Sequence, residues 1–472
     1  MLVPTIGIEI HVELKSKAKV YSDSKNAFAI EANKNISLID LGYPGTLPKL
    51  NREVIDMALK ACLALNCKIN KVMHWDRKNY FYPDLPKGFQ ITQQDTPIGY
   101  DGYVEIEVDG KKKKIGIERI HIEEDTCKSL HSIAGTKLNF NRAGVPLIEI
   151  VSKPDIESGE EASIYADTLR SILLYLGISD VKIEEGSMRC DTNVSLKEKT
   201  SDVLGTKVEI KNIGSISNVK RSVDYEVKRQ TEIIESGKKI REETRRFDDK
   251  TGETILMRVK ETGNDYRYFP EPDIPYVILT EEEIEDVRKN LPVLPNVLKA
   301  KYHEANMSEI AVKALLGNYE LCNFLESIYD KVEPVIAANL LTGDVLSYLN
   351  KEKISLEDTK LTKENFIVLV TALSKKEISS KQGKEILEIL LCEGGDVPSI
   401  MKEHGMEQIS DESVLLDMIE KVIQENMSSV TDFKAGHDRA IKYLMGQIMK
   451  ASRGQANPQV VNKLLLDTLK KY

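Results

Sequence analysis

Ile8-Glu9-Ile10-His11-Val12-Glu13-Leu14 alternates apolar and polar side chains without a break. In an extended chain that spacing sends Ile8, Ile10, Val12 and Leu14 to one face and Glu9, His11 and Glu13 to the other. The stretch therefore predicts a strand with an apolar back and an acidic, imidazole-bearing front. A second segment, Ile120-His121-Ile122-Glu123-Glu124-Asp125, puts more carboxylates on a strand. Hard divalent cations prefer oxygen ligands, commonly one or two carboxylates plus substrate phosphates and water. A charged strand face is ordinarily just solvated, but Glu149 adds a carboxylate inside the apolar run Pro146–Val151 and Glu209 another in Val208–Asn212. A carboxylate in such a run is costly unless paired or metal-bound. Glu9, His11, Glu123, Glu124, Glu149, Glu209 and Asp191 are thus candidates for one metal site gathered by one sheet.

Outward from these strands, residues 1 to about 290 read as strand-rich. Strands are expected over 6–14, 103–108, 113–124, 181–185, 187–195, 206–211 and 253–260. Helices are expected over 51–65, 158–176 (ended by Gly177) and 218–236 (ended by Gly237). Asp248–Gly252 predicts a hairpin turn. Few helices beside long alternating strands favour an antiparallel or mixed sheet over a doubly wound one. Prolines crowd 270–275 and 292–295, and beyond about 296 the period becomes helical, over 362–374, 379–392, 411–425, 435–451 and 458–471. Asn457 followed by Pro458 reads as the start of the last helix. The fold class is therefore α+β. A mixed or antiparallel-sheet domain (1–292) is followed by an all-α linker domain (293–400) and a small helical tail domain (401–472).

Bulk properties narrow the function. No apolar run is long enough to span a bilayer, and the first residues lack a signal-peptide pattern. Six scattered cysteines with no Cys-x-x-Cys argue against a disulfide framework or a thiolate zinc site, and the expected compartment is the cytoplasm. Net charge is −9, yet residues 431–472 carry eight Lys or Arg against three Asp, a local charge of +5 that suits phosphates. Lys211–Asn218 ends a strand, passes Gly214 and opens a helix bearing Lys220 and Arg221, a pattern for anion binding at a helix N-terminus. Arg189, Asp191 and Asn193 alternate on one strand face, and Arg245, Arg246, Arg258, Lys260 and Asp265–Tyr268 continue a basic and aromatic theme. Neither a Walker A loop nor Gly-x-Gly-x-x-Gly nor a Gly-x-Ser-x-Gly elbow is present, so metal-assisted phosphoryl transfer fits better than covalent serine chemistry.

With these motifs in this order, the chain resembles the B subunits of the bacterial aspartyl/glutamyl-tRNA(Asn/Gln) amidotransferases. The resemblance rests on Gly7–Leu14, Tyr80–Gln90, Ile122–Asp125, Asn141–Ile150, Met188–Asp191, Val208–Asn212, Asp265–Asp273 and Ala456–Pro458. It implies a cradle-shaped, tRNA-dependent kinase domain that phosphorylates the side-chain carboxylate of Glu-tRNA(Gln) or Asp-tRNA(Asn) with ATP. Ammonia from a separate amidase (glutaminase) A subunit then gives the amide, with a small C subunit making up the heterotrimer. Carried over, Glu9, His11, Glu123, Glu124, Glu149 and Glu209 would hold Mg²⁺, with Glu124, His11 and Glu9 catalytic. Arg189, Asp191, Lys211 and Arg258 would contact phosphate or substrate, and Arg439, Lys442, Lys450 and Arg453 in the basic tail would contact tRNA. Some members carry a cysteine-ligated zinc. No zinc is expected here, because the thiol pairs are missing. Two rival readings remain: a stand-alone Mg-dependent hydrolase or phosphotransferase, and a non-catalytic protein that binds RNA and serves assembly.

Overall fold

A computed structural model describes residues 2–259, 266–405, 412–434, 439–452, 456 and 458–470. They form two compact units, Met1–Pro295 and Asn296–Tyr472. The first is built on a nine-stranded sheet. Its strands are β1 (Leu2–Glu13), β2 (Lys68–Ile69), β3 (Gly99–Val108), β4 (Lys111–Glu124), β5 (Pro146–Ser152), β6 (Met188–Glu198), β7 (Val208–Lys211), β8 (Glu243–Asp248) and β9 (Glu253–Val259). They lie in the order β9-β8-β7-β6-β1-β5-β4-β3-β2, so the opening strand sits at the centre. All neighbours pair antiparallel except β7 and β8, which makes the sheet mixed. The architecture is α+β, as the alternating strands imply.

Three helices cover the apolar face: α1 (Arg52–Ala64), α2 (Gly159–Tyr175) and α3 (Ile216–Glu235). Their starts are side-chain capped, Asn51 accepting from Glu53 N–H, Ser158 from Glu161 N–H and Ser215 from Asn218 N–H. The last begins two residues before the expected Asn218, because Ser215 takes the cap. Ile6, Ile8, Ile10 and Val12 are at most 1% exposed and pack with Leu59, Leu169, Leu173 and Val223 in one core. Each contributes about 2 kcal/mol by its burial. Sliding β1 by one residue would reverse its faces, so this burial also holds the polar row in register.

The strand expected over 181–185 does not form. Val181 has a φ of +43°, Gly186 one of +84°, and Ser187 N–H returns to Lys182 O, so the segment is a turn feeding β6. Gly102 on β3 packs against the end of α1. A Cβ there would stand 2.6 Å from Leu65 O and press on the Cys67 thiol. Gly102→Ala is expected to destabilise the first unit by about 1–3 kcal/mol, read as a lower urea midpoint; an unchanged midpoint would refute the close packing.

Beyond the main sheet, a three-stranded strip of Asp76–Asn79, Phe89–Thr92 and Phe269–Pro270 reaches the end of β4, where Gln90 donates to Glu124 O. The second unit is helical among its described residues, including Lys363–Ser374, Ser380–Cys392 and Glu412–Glu425. The helix expected over 435–451 is described as Arg439–Ala451. Residues 435–438 and the cap Asn457 lie outside the described residues, as do Lys260 and Asp265.

Candidate active site

The polar face of the sheet carries the chemistry. Across the ladder His121 stands opposite Glu149, Glu149 opposite His11, and His11 opposite Arg189. At the next alternate position of β1, on the same face, Glu9 faces Asp191, and beyond it Asn193 faces Glu209. Directly opposed residues bring their side chains together, so alternation on five strands converges on two clusters.

In the first cluster His11 Nε2 lies 3.6 Å from Glu123 Oε1 and 3.6 Å from Glu149 Oε2. His121 Nε2 lies 3.0 Å from Glu149 Oε2 and 3.8 Å from Glu123 Oε2. Burial pushes the Glu149 carboxyl up, but His121, His11 and Lys78 outweigh it and hold it well below the usual range. Glu123 is also held down, its burial and the charge of Glu149 being outweighed by His121, His11 and Lys78. Burial drives the His121 imidazole down, yet the two carboxylates raise it to about 9. An imidazolium at His121 thus supplies the positive charge that two buried carboxylates require. A ligand atom from each of His11, Glu123 and Glu149 lies within 4.8 Å of the others, a spacing one cation can bridge.

In the second cluster Glu9, Asp191 and Glu209 likewise offer oxygens within 4.8 Å of one another. Glu9 accepts from Asn193 (2.9 Å), and burial, with Glu149 second, raises its carboxyl. Lys211 Nζ spans Asp191 (2.7 Å) and Glu209 (3.0 Å). Glu209 also accepts from Thr244 Oγ1 at 2.9 Å, and Arg258 Nε reaches the same hydroxyl at 3.4 Å. This trio is all oxygen, the donor set a hard cation such as Mg²⁺ prefers; the His11 trio supplies one nitrogen and two carboxylates. Both donor sets fit a divalent ion.

Glu124 joins neither cluster. At the end of β4 it faces away from Glu123, pairs with Lys87 and accepts from Ile91 N–H at 3.0 Å. Arg189 is committed to Asp125 at 3.0 Å. Glu13 lies beside both, and burial, then Asp125, raise its carboxyl to about 7 against the pull of Arg189. A cavity of about 530 Å³ opens over these groups, lined by His11, Lys78, Glu123, Arg189, Asp191 and Lys211 among others, with Asn212–Gly214 at its edge.

Two expected cations turn elsewhere: Lys220 pairs with Glu160, and Arg221 with Asp249 at 2.7 Å. Arg245 is likewise spent on Glu243 at 2.8 Å. His121 and Lys78 are site residues that the motif reading passed over. Alternation holds the signal for His121, two positions before Glu123 on the same face. Lys78 carries no such signal, since only the strip of Asp76–Asn79 brings it there. In the second unit, Arg439, Lys442 and Lys450 are exposed on one helix whose buried side holds Ala440, Leu444 and Ile448. Their spacing places all three on one face. Arg453 lies outside the described residues.

A sheet that presents carboxylates, imidazoles and amines on one face over an open cavity has the make-up of a catalytic domain, and a helical unit follows it in the chain. Residues 4–285 match the family described as the GatB/GatE catalytic domain, and residues 323–469 match the GatB domain. The chain is 49% identical over 469 residues to the B subunit of the aspartyl/glutamyl-tRNA(Asn/Gln) amidotransferase of Enterococcus faecalis, covering 99% of this chain and 98% of that protein. It is 50% identical over 469 residues to the protein of the same name from Bacillus velezensis, with the same coverage. The chain belongs to the family of aspartyl/glutamyl-tRNA(Asn/Gln) amidotransferase B subunits, the ligase components the sequence motifs resemble.

Proposed function

We propose that this protein uses ATP to phosphorylate the side-chain carboxylate of Glu-tRNA(Gln) or Asp-tRNA(Asn), and that ammonia then displaces phosphate to form Gln-tRNA(Gln) or Asn-tRNA(Asn). The observation that carries the reading is the pair of carboxylate clusters, His11–Glu123–Glu149 and Glu9–Asp191–Glu209, side by side on the sheet face beneath one cavity. Those residues would hold Mg²⁺, which when bound offsets the negative charge of ATP phosphates. Lys78, Lys211 and Arg258 supply positive charge for transferring phosphoryl groups, and the strip (Lys78) and the sheet (Lys211, Arg258) fix their positions before substrate arrives. The attacking carboxylate is already anionic near neutral pH, so no general base is required for it. Glu124, held by Lys87, belongs to the wall of the site rather than to a ligand cluster.

Residues 1–292 carry this chemistry, 293–400 link, and 401–472 hold the tRNA body. Ammonia comes from an amidase A subunit, and a small C subunit makes the third member of a cytoplasmic heterotrimer. The test is ATP cleavage by the reconstituted complex with and without mischarged tRNA. Cleavage is expected only with Glu-tRNA(Gln) or Asp-tRNA(Asn). Cleavage without tRNA would support a stand-alone phosphotransferase, and none in the complete complex would support a non-catalytic role. For the tail, Lys442→Glu with Lys450→Glu is expected to weaken tRNA binding and to flatten its salt dependence by about two counterions. An unchanged affinity at two salt concentrations would remove the tail from the interface.

A further inference from the structure

Away from the clusters described above, a third group of metal-ligand type sits at the start of the strip that carries Lys78. His74, Asp76 and Asp95 each offer one ligand atom, all within 4.8 Å of one another. His74 Nε2 lies 3.2 Å from Asp76 Oδ1 and 3.9 Å from Asp95 Oδ2. Asp76 is a buried carboxylate, its side chain 2% exposed. Its Oδ2 accepts from Gln94 N–H (2.7 Å) and Asp95 N–H (3.2 Å), which ties the loop after Phe89–Thr92 to the strip. Its Oδ1 is turned toward the imidazole.

The contacts around His74 allow the nitrogen that faces the carboxylates to do so as a lone pair. Thr96 Oγ1 donates its proton to His74 O at 3.2 Å, accepts from His74 N–H at 2.9 Å, and lies 3.3 Å from Nδ1. When that hydroxyl gives its one proton to the carbonyl, it meets Nδ1 as an acceptor, and the neutral ring with its proton on Nδ1 leaves Nε2 bare. Nε2 is buried and has no hydrogen-bond partner among the described residues. A bare imidazole nitrogen facing two carboxylate oxygens is repulsive unless something positive lies between them. A proton on Nε2 would carry the charge but find no well-aligned acceptor, the ring and Asp76 being close yet poorly aimed for a hydrogen bond. A metal ion on the Nε2 lone pair would sit off the Nε2–Oδ1 line while bonded to both atoms, an arrangement the misalignment suits. The Nδ1 contact with Thr96 is the outer support that orients metal-binding histidines.

We propose that His74, Asp76 and Asp95 bind a divalent transition-metal ion of the zinc class, one imidazole and two carboxylates completed by water. The 3.2 Å between Nε2 and Oδ1 matches the edge of a tetrahedron with ligand bonds of about 2.0 Å. The third ligand, Asp95, is 71% exposed and free to swing in, which leaves the ion an entry path from solvent. An ion there would pin the loop bearing Asp95 to the strip, two residues from Lys78, and so steady one wall of the cavity. This site uses nitrogen and oxygen, so the lack of paired cysteines does not bear on it.

The experiment is a Zn²⁺ titration of chelator-stripped full-length protein against a chromophoric competitor, with Asp95→Asn and His74→Gln run beside the wild type. The other carboxylate clusters are intact in all three and cancel in the comparison. The wild type is expected to take up one tight equivalent more than either variant, with affinity for that equivalent lowered at least about 100-fold by losing a ligand. Zn²⁺ is also expected to raise the melting temperature of the wild type more than that of Asp95→Asn, whose exposed position leaves folding intact, as far-UV circular dichroism would verify. Equal stoichiometry in all three proteins would overturn the proposal and leave a protonated His74 ion pair in its place.

Discussion

Glu149→Gln is expected to lower tRNA-dependent amidation by about 10³-fold or more while leaving tRNA binding and the partner's glutaminase activity in place. The exchange keeps the shape of the side chain and removes its charge. Glu149 lies opposite both His121 and His11 in the ladder and, among the described residues, is the one carboxylate within 3.6 Å of both imidazoles and 3.0 Å of one. Its loss would remove a ligand charge from the proposed cation and take from His121 its nearer carboxylate. Lewis-acid stabilisation worth several kcal/mol, at about 1.4 kcal/mol per factor of ten, gives the stated range. A single-turnover rate within tenfold of the wild type would sink the assignment.

The same substitution has a pH signature. In the folded chain His121 titrates near 9, above its ordinary value of 6.5, because the carboxylates favour its charged form. A raised pKa contributes stability that is fully present below the unfolded pKa and is lost as pH rises through the folded one. Wild-type stability should therefore decline between about pH 6.5 and 9 in the absence of metal. In Glu149→Gln that decline should be shallower, since the nearer of the two carboxylate charges that raise His121 is gone. Parallel curves for the two proteins would show that Glu149 does not set the His121 titration.

How much of this site was legible depends on how far its residues are from a regular strand. Glu9 and His11 could be read from alternation because β1 is straight, central and backed by four buried apolar residues. Glu149 stood out as a charge in an apolar run. Alternation alone also separates Glu123 from Glu124, since neighbours on a strand face opposite ways, and Glu124 reaches Lys87. The pairing of Lys220 with Glu160 and of Arg221 with Asp249, distant in sequence, carries no signal in the local spacing. Residues 181–185 read as a strand because their apolar positions alternate, while the decisive feature is a left-handed backbone at Val181 and Gly186. Lys78 could not be placed at all without the pairing of Asp76–Asn79 with Phe269–Pro270, nearly two hundred residues apart.

Arg77→Ala is the second change with a large expected effect, and it acts through that pairing. Glu271 has a fully buried carboxylate, held in a fork by Arg77 with Nε at 2.7 Å from Oε2 and Nη2 at 2.9 Å from Oε1. The guanidinium also stacks 4.3 Å from the centre of the Phe89 ring, so one side chain joins all three strands of the strip. Removing it strands a buried negative charge, which costs about 3 kcal/mol or more. Arg77→Lys should recover only part of this, because an ammonium cannot make the two parallel bonds. Replacing both partners, Arg77→Met with Glu271→Leu, should recover most of it, since no unpaired charge remains. Trp75, the single tryptophan, is buried two residues away, and its fluorescence during urea unfolding reports on this strip directly. A loss below about 1 kcal/mol in Arg77→Ala would mean that solvent reaches Glu271 and that the fork is a surface pair. A loss of the expected size should carry a fall in amidation with it, because Lys78 is the next residue along and its ammonium is placed over the cavity by the same strand.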